Sequence, residues 1–254
     1  MREHVRGGGN IIQKGPSAWR LEIPSGSSGK YRLAQLDDYA GLSRQTFPWL
    51  PPLNLSLRAR ASAKVIPGTW GVGLWNDPFG TALIKGSKVR FPTLPNTAWF
   101  FFASPPNYLS LRDDLPGNGQ MAATFRSPGR LPPIMIASMP LLLMIILPPV
   151  ARWMRRLARR SVHQDTVEFG LDPTDWHTYE IDWRPDGVVF LLDGQVLKEM
   201  KIHPRGRLGL VIWIDNQYAS LPPNGHVGYG TLANDQPAWL ELEDLKLGSA
   251  VKPK

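Results

Sequence analysis

Cysteine is absent from the chain, which removes disulfides, thiolate metal ligands and a thiol nucleophile from consideration. Glutamate is missing from the whole stretch between Glu22 and Glu168, so no Glu-based chemistry can arise there. The first twenty residues contain no apolar core of the kind a secretory signal needs, and a cytoplasmic location is the expectation. The five histidines (His4, His163, His177, His203 and His226) are scattered without metal-ligand spacing. No cofactor is expected, with a structural calcium held by carbonyl and Asp oxygens left open. No phosphate loop, nucleophile elbow or dinucleotide fingerprint occurs. No apolar run reaches the roughly 20 residues that a membrane-crossing helix requires.

What is present is punctuation. The 24 Gly and 25 Pro fall between short apolar runs, which reads as turns between strands. Strand patterns are predicted at 18–23, 30–36, 54–63, 70–76, 98–103, 108–112, 120–126, 178–183, 188–192, 208–215 and 239–247. In the 54–63 run Leu55, Leu57, Ala59 and Ala61 alternate with Ser56, Arg58 and Arg60. Asp186-Gly187 and Asp193-Gly194 are hairpin dipeptides that tolerate positive φ. About a dozen short strands with almost no helical period predict an all-β sandwich of two antiparallel sheets, one domain over 1–254.

The pattern breaks at 131–163. From Ile134 to Leu147 the chain is apolar except for Ser138, and Ile134, Met135, Leu141, Leu142, Leu143, Met144, Ile145 and Ile146 are the expected membrane contacts. Fourteen residues are too few to cross, and a crossing would split one sandwich across the bilayer. The following residues have helical period, with Trp153 on an apolar stripe and Arg152, Arg155, Arg156, Arg159 and Arg160 around it. These five arginines supply most of the net charge of +8, which argues against a general nucleic-acid surface. The insert therefore reads as an apolar and basic helical hairpin that meets anionic lipid, a peripheral anchor. Packing against the sandwich and docking on an integral membrane protein stay open as alternatives.

Two stretches carry a resemblance. Asp175-Trp-His-Thr-Tyr-Glu-Ile-Asp-Trp-Arg-Pro-Asp-Gly-Val-Val-Phe-Leu-Leu-Asp-Gly194 resembles the W-H-x-Y-x-I-x-W strand, turn and F-x-V-D-G strand of glycoside hydrolase family 16. Leu57-Arg-Ala-Arg60, leading into Pro67-Gly-Thr-Trp-Gly-Val-Gly-Leu-Trp-Asn76, is similar to that group's aRiK and G-x-W-P-A-F-W segments. The resemblance implies a laminarinase-type, concanavalin A-like jelly roll. It also implies a retaining mechanism through a Glu-x-Asp-x-(x)-Glu strand, whose carboxyl groups face one cleft about 5 Å apart. That strand belongs between the G-x-W and W-H-x-Y segments, where this chain reads Ala98-Trp-Phe-Phe-Phe-Ala-Ser104. The only acids between Asn76 and His163 are Asp77, Asp113 and Asp114. Asp113 and Asp114 are adjacent and point apart, which suits a loop role. Glu180-Ile181-Asp182 imitates half the motif but continues into Arg184-Pro185, on the wrong strand. His177 reads as support for a strand start.

No catalytic residue is therefore assigned. A cleft on this fold would be lined by Trp75, Asn76, Asp77, Trp99, Asp215, Asn216, Gln217 and Tyr218, a mixture suited to a saccharide or an amphiphile. Residues 215–218 read equally as a turn, and Trp99 to Phe102 as a strand buried on both faces. The expected function is a non-hydrolytic binding or accessory module at a membrane surface or membrane protein complex. A glycosidase or lyase using Asp77 or Asp215, and a carrier of an apolar ligand with the insert as a lid, are the alternatives.

Overall fold

The computed structural model describes residues 1–80, 90–128 and 144–249. In chain order these carry β1 (Arg2–Arg6), β2 (Asn10–Gly15), β3 (Ala18–Ile23), β4 (Leu33–Asp37), β5 (Leu53–Ala61), β6 (Thr69–Trp75), β7 (Thr97–Ala103) and β8 (Gly119–Arg126). Then come α1 (Pro148–Ser161), β9 (His163–Glu168), β10 (His177–Arg184), β11 (Gly187–Leu192), β12 (Gln195–Met200), β13 (Gly209–Asp215), β14 (Gln217–Ser220), β15 (Gly228–Thr231) and β16 (Ala238–Ser249). A first seven-stranded sheet has the order β1-β4-β13-β6-β7-β8-β9, and a second the order β12-β11-β10-β5-β16-β3-β2. The pairings are antiparallel, and β14 with β15 forms a separate hairpin. The protein is an all-β jelly-roll sandwich.

Side-chain alternation builds the core. Along β5, Leu53, Leu55, Leu57, Ala59 and Ala61 are buried while Asn54, Ser56, Arg58 and Arg60 are only partly covered. On β10, Tyr179, Ile181 and Trp183 enter the core. Glu180 and Asp182 therefore look out from the second sheet, away from any cleft on the first. Phe100 of β7 ties the sheets together, edge-on to Tyr179 at 5.1 Å and to Phe190 at 5.2 Å between ring centroids. His177 bonds Asp193 at 2.7 Å and the Asp172 carbonyl at 3.0 Å, which pins the start of β10. The β11–β12 turn has positive φ at both Asp193 (51°) and Gly194 (76°). Gly187 already pairs with Arg184, so the tip of the preceding hairpin is Pro185-Asp186, one residue earlier than the sequence reading.

The strand predicted at 108–112 is a loop, held by one bridge between Tyr108 and Ser220. Six strands (β1, β2, β9, β12, β14 and β15) carry no pattern that the sequence reading recognised.

Within the insert, Ile134, Met135, Leu141, Leu142 and Leu143 lie outside the described residues. Its second half is α1, opened by Pro148 and Pro149 at the first helical positions, where no intrahelical N–H is needed. The helix packs through Ala151, Arg155 and Leu157. Arg155, expected among the lipid-facing cations, is instead buried. Its guanidinium donates to the carbonyls of Ser110 at 2.6 Å and Leu221 at 2.7 Å, and to Asp113 at 2.8 Å. Arg159 reaches the other Asp113 oxygen at 2.6 Å. These hydrogen bonds hold the Asp113 carboxyl below the usual carboxylate range. Arg155→Met should lower the unfolding free energy by about 3 kcal/mol in urea titration, because it strands buried acceptors. Arg160→Met, on the exposed side, should change it by less than about 0.5 kcal/mol.

Candidate functional site

The outer face of the first sheet is a groove enclosing a cavity of about 450 Å³. Its floor is made by β6, β7, β8 and β13. The segment after β7 and the β14–β15 hairpin form a wall, stitched by Asn107, whose side-chain oxygen accepts from the Ala219 N–H at 3.0 Å. The sequence of β6, Thr69-Trp-Gly-Val-Gly-Leu-Trp75, explains the floor. Trp70, Val72 and Leu74 enter the core, so Gly71 and Gly73 face the groove. A Cβ at Gly71 would lie 2.6 Å from the Trp213 ring, and one at Gly73 would lie 2.4 Å from the Trp99 Cβ. Two glycines thus make room for two indoles. Trp99 lies 5.7 Å from Trp213, 5.0 Å from Phe101 and 6.1 Å from Phe125 between ring centroids.

On β7 the alternation is strict: Ala98, Phe100 and Phe102 are core, while Phe101 and Ala103, with Trp99 against them, belong to the groove side. Two carboxylates line the groove among the described residues. Asp215 is buried and accepts from Thr69 Oγ1 at 2.7 Å, the Tyr31 hydroxyl at 3.2 Å and the Gln217 N–H at 3.3 Å. Trp213 Nε1 donates to the same Thr69 hydroxyl at 2.9 Å. Asp77 is paired with Arg90 at 2.7 Å, and burial still pushes its carboxyl above the ordinary range. Asp215 pairs with Thr69 at one end of β6, and Asp77 follows Trp75 at the other. At about 3.3 Å per residue the two ends stand roughly 20 Å apart, far beyond the about 5 Å of a retaining acid pair. Among the described residues no cluster of three or more His, Asp or Glu side chains could hold a metal.

Of the residues singled out from sequence, Trp75, Asp77, Trp99, Asp215, Gln217 and Tyr218 line the groove together. Asn76 and Asn216 do not. Asn76 donates to the Leu94 carbonyl at 2.9 Å and accepts from the Asn96 N–H at 2.9 Å. Asn216 is fully buried, accepting from the Arg32 N–H at 2.8 Å and donating to the Leu232 carbonyl at 2.7 Å. Both amides saturate backbone at strand ends, a common use of Asn. Phe101 lies in the 99–102 run that the sequence marks as a candidate lining, and alternation singles it out there. Phe125, Met121, Thr69, Tyr31 and Trp213 also line the groove, and placing them needs strand register.

Burial lifts the Asp215 carboxyl to about 7, against the hydrogen bonds from Thr69, Gln217 and Tyr31 that favour its charge. Between about pH 4 and pH 7 the folded protein therefore holds a proton that the unfolded chain has released. Stability falls as pH rises through that window and levels off above it. Asp215→Asn should flatten this fall, read as urea midpoints measured from pH 4 to pH 8.

Comparison with known proteins agrees with this architecture. The family model for glycosyl hydrolases family 16 matches residues 159–208, a segment that includes β10 to β12. No curated protein matches the sequence. A solved structure of an endo-acting O-glycanase from human gut microbiota is 12% identical, with 96% of this chain and 84% of that one covered and a TM-score of 0.52. The LamAcat structure from Zobellia galactanivorans is 11% identical over 94% and 88%, with a TM-score of 0.47. Bacillus licheniformis beta-glucanase is 13% identical over 92% and 79%, with a TM-score of 0.43. The chain is thus a jelly roll that shares its fold with the O-glycanase structure, and its segment 159–208, with the W-H-x-Y-x-I-x-W strand, is similar to the glycosyl hydrolases family 16 model.

Proposed function

We propose that this chain is a non-hydrolytic binding module, derived from a glycoside hydrolase scaffold and held at a membrane surface. One observation carries the first half: the groove face of β7 presents Trp99, Phe101 and Ala103 where hydrolysis needs converging carboxylates. The two acids that do line the groove stand at its opposite ends. Neither can serve as nucleophile while the other protonates the leaving oxygen.

Support for the second half comes from the solvent side of α1 and the turn before it. Met144 (47% exposed), Ile146 (77%), Leu147 (44%) and Trp153 (36%) are uncovered apolar groups. Trp153, Arg156 and Arg160 fall at i, i+3 and i+7, so they share one outward face. An aromatic ring beside guanidinium groups fits an anionic bilayer surface, where each cation contributes about 1 kcal/mol. Among the described residues no helix is long and apolar enough to cross a membrane. The expected contact is interfacial. The protein should float with vesicles containing 30% phosphatidylglycerol (about a third anionic lipid) and not with phosphatidylcholine alone. Trp153→Glu combined with Arg156→Glu should abolish flotation; unchanged flotation would remove direct lipid contact and leave docking on a membrane protein.

A second reading rests on Asp215, whose near-neutral titration is what a general acid needs. Cleavage of laminarin, lichenan or agar that disappears in Asp215→Asn would establish an enzyme with a different carboxylate arrangement and overturn the binding-module reading.

A further inference from the structure

Most polar groups on the groove floor are already engaged with one another, the buried Trp75 Nε1 being an exception. Thr69 takes the Trp213 indole proton and gives its own to Asp215. Gln164 accepts from the Leu111 N–H at 2.9 Å and donates to the hydroxyls of Ser110 at 3.1 Å and Thr166 at 2.9 Å. Asn107 donates to the Ser104 carbonyl at 2.9 Å, and Gln35 donates to Asp37 at 3.0 Å. A pyranose chain presents a hydroxyl at nearly every ring carbon, and most of these would be desolvated here against aromatic faces or partners already used, whereas a single head group needs only the one acceptor position left on the Asp215 carboxylate. The rings of Trp99, Phe101 and Trp213 are tilted against each other by 41° to 48°, so they do not offer one flat stacking platform. What they offer is a hydrocarbon trough, of a volume that suits a single small ligand.

The trough is asymmetric. At the Asp215 end stand Tyr31, Gln217 and the 68% exposed Tyr229, which is hydrogen-bonded to Gln217. At the Trp75 end stands Phe79, 73% exposed and edge-on to the indole at 6.4 Å. Arg6 also lines this end, but it is exposed and screened by water, so the buried Asp215 carboxylate sets the preference: it disfavours an anionic head and accepts from a hydroxyl or ammonium.

Resting on the binding-module reading above, we propose that the groove takes a single-chain amphiphile, its hydrocarbon along Trp213, Phe101 and Trp99 and a hydrogen-bond-donating, non-anionic head at Asp215. The scaffold's saccharide cleft has become a lipid-chain site. Charge complementarity at Asp215 and saturation of the floor are the two features that select this occupant over a glycan.

The test uses the intact protein and three probes in isothermal titration and tryptophan fluorescence at pH 8, each below its aggregation concentration: monolauroylglycerol, laurate and laminarihexaose. Monolauroylglycerol should shift the tryptophan emission and bind at least tenfold tighter than laurate, with laminarihexaose silent. Ala123, buried on the groove side of β8, is the blocking position. Ala123→Phe should weaken monolauroylglycerol binding at least tenfold, whereas Val196→Thr on exposed β12 of the second sheet should leave it unchanged. Should Ala123→Phe fail to fold, Asp215→Asn provides the second arm, because it should bring laurate to within threefold of monolauroylglycerol. Binding of laminarihexaose, or of none of the three, overturns the assignment. So does monolauroylglycerol binding that Trp153→Glu removes, which would place the lipid on the helix. Vesicle flotation and glucan cleavage, measured on the same preparation, report separately on the binding-module reading: a protein that floats, cleaves nothing and ignores the amphiphile loses only the ligand assignment.

Discussion

The central strands of the first sheet are buried on both faces, and the rest of the molecule follows from that. All seven residues of β13 and all five of β4 are buried, as are six of the seven in β7. One face meets the second sheet across the core, while the other meets the groove's own side chains and loops. A polar group on such a sheet survives only with a partner, since an unmet buried donor or acceptor costs about 1–3 kcal/mol. Asp215 is the outcome: a carboxyl tolerated because Thr69, Tyr31 and a backbone N–H surround it, and still lifted to a near-neutral titration. A sheet built in this way has little unspent hydrogen-bonding capacity to offer a sugar polymer.

The same constraint makes α1 a brace behind the groove wall rather than an appendage. The loop from Tyr108 to Asp113 has few ladder bonds of its own, and Arg155 closes it by bridging the Ser110 and Leu221 carbonyls. Five arginines in one helical segment looked uniform from composition, yet they divide by geometry. Arg155 and Arg159 clamp Asp113, Arg152 donates to the Asn224 carbonyl, and Arg156 and Arg160 face solvent.

Legibility tracked burial. Strands with one buried face, such as β5 and β10, alternate cleanly and were readable residue by residue. Edge strands were not: β1 reads Arg-Glu-His-Val-Arg, largely exposed, and is held by backbone pairing to β4 rather than by an apolar face. The segment Tyr108–Arg112 alternates like a strand but is a loop: Tyr108 and Leu109 meet backbone groups of other segments, and beyond them side chains take over. Gln164 takes the Leu111 N–H, and Arg155 takes the Ser110 carbonyl. Of the candidate groove residues, the tryptophans and both aspartates were legible from residue type. Asn76 and Asn216 belong chemically to the same set, but the chain turns at each, and their amides meet backbone instead.

Composition and local order settled two matters on their own. Periodicity of two between Gly and Pro turns required an antiparallel sandwich, because such strands have one apolar face each and must bury it against another sheet. The bare absence of Glu from Glu22 to Glu168 removed the expected acids from β7, since no folding can supply a side chain that the chain lacks. Everything about which groups meet was decided at longer range. Asp215 faces Thr69 across a pairing of residues 146 positions apart, and Arg155 reaches Leu221 across 66. Such juxtapositions depend on strand register and on the direction of each strand end, and a shift of one residue would send every groove side chain into the core.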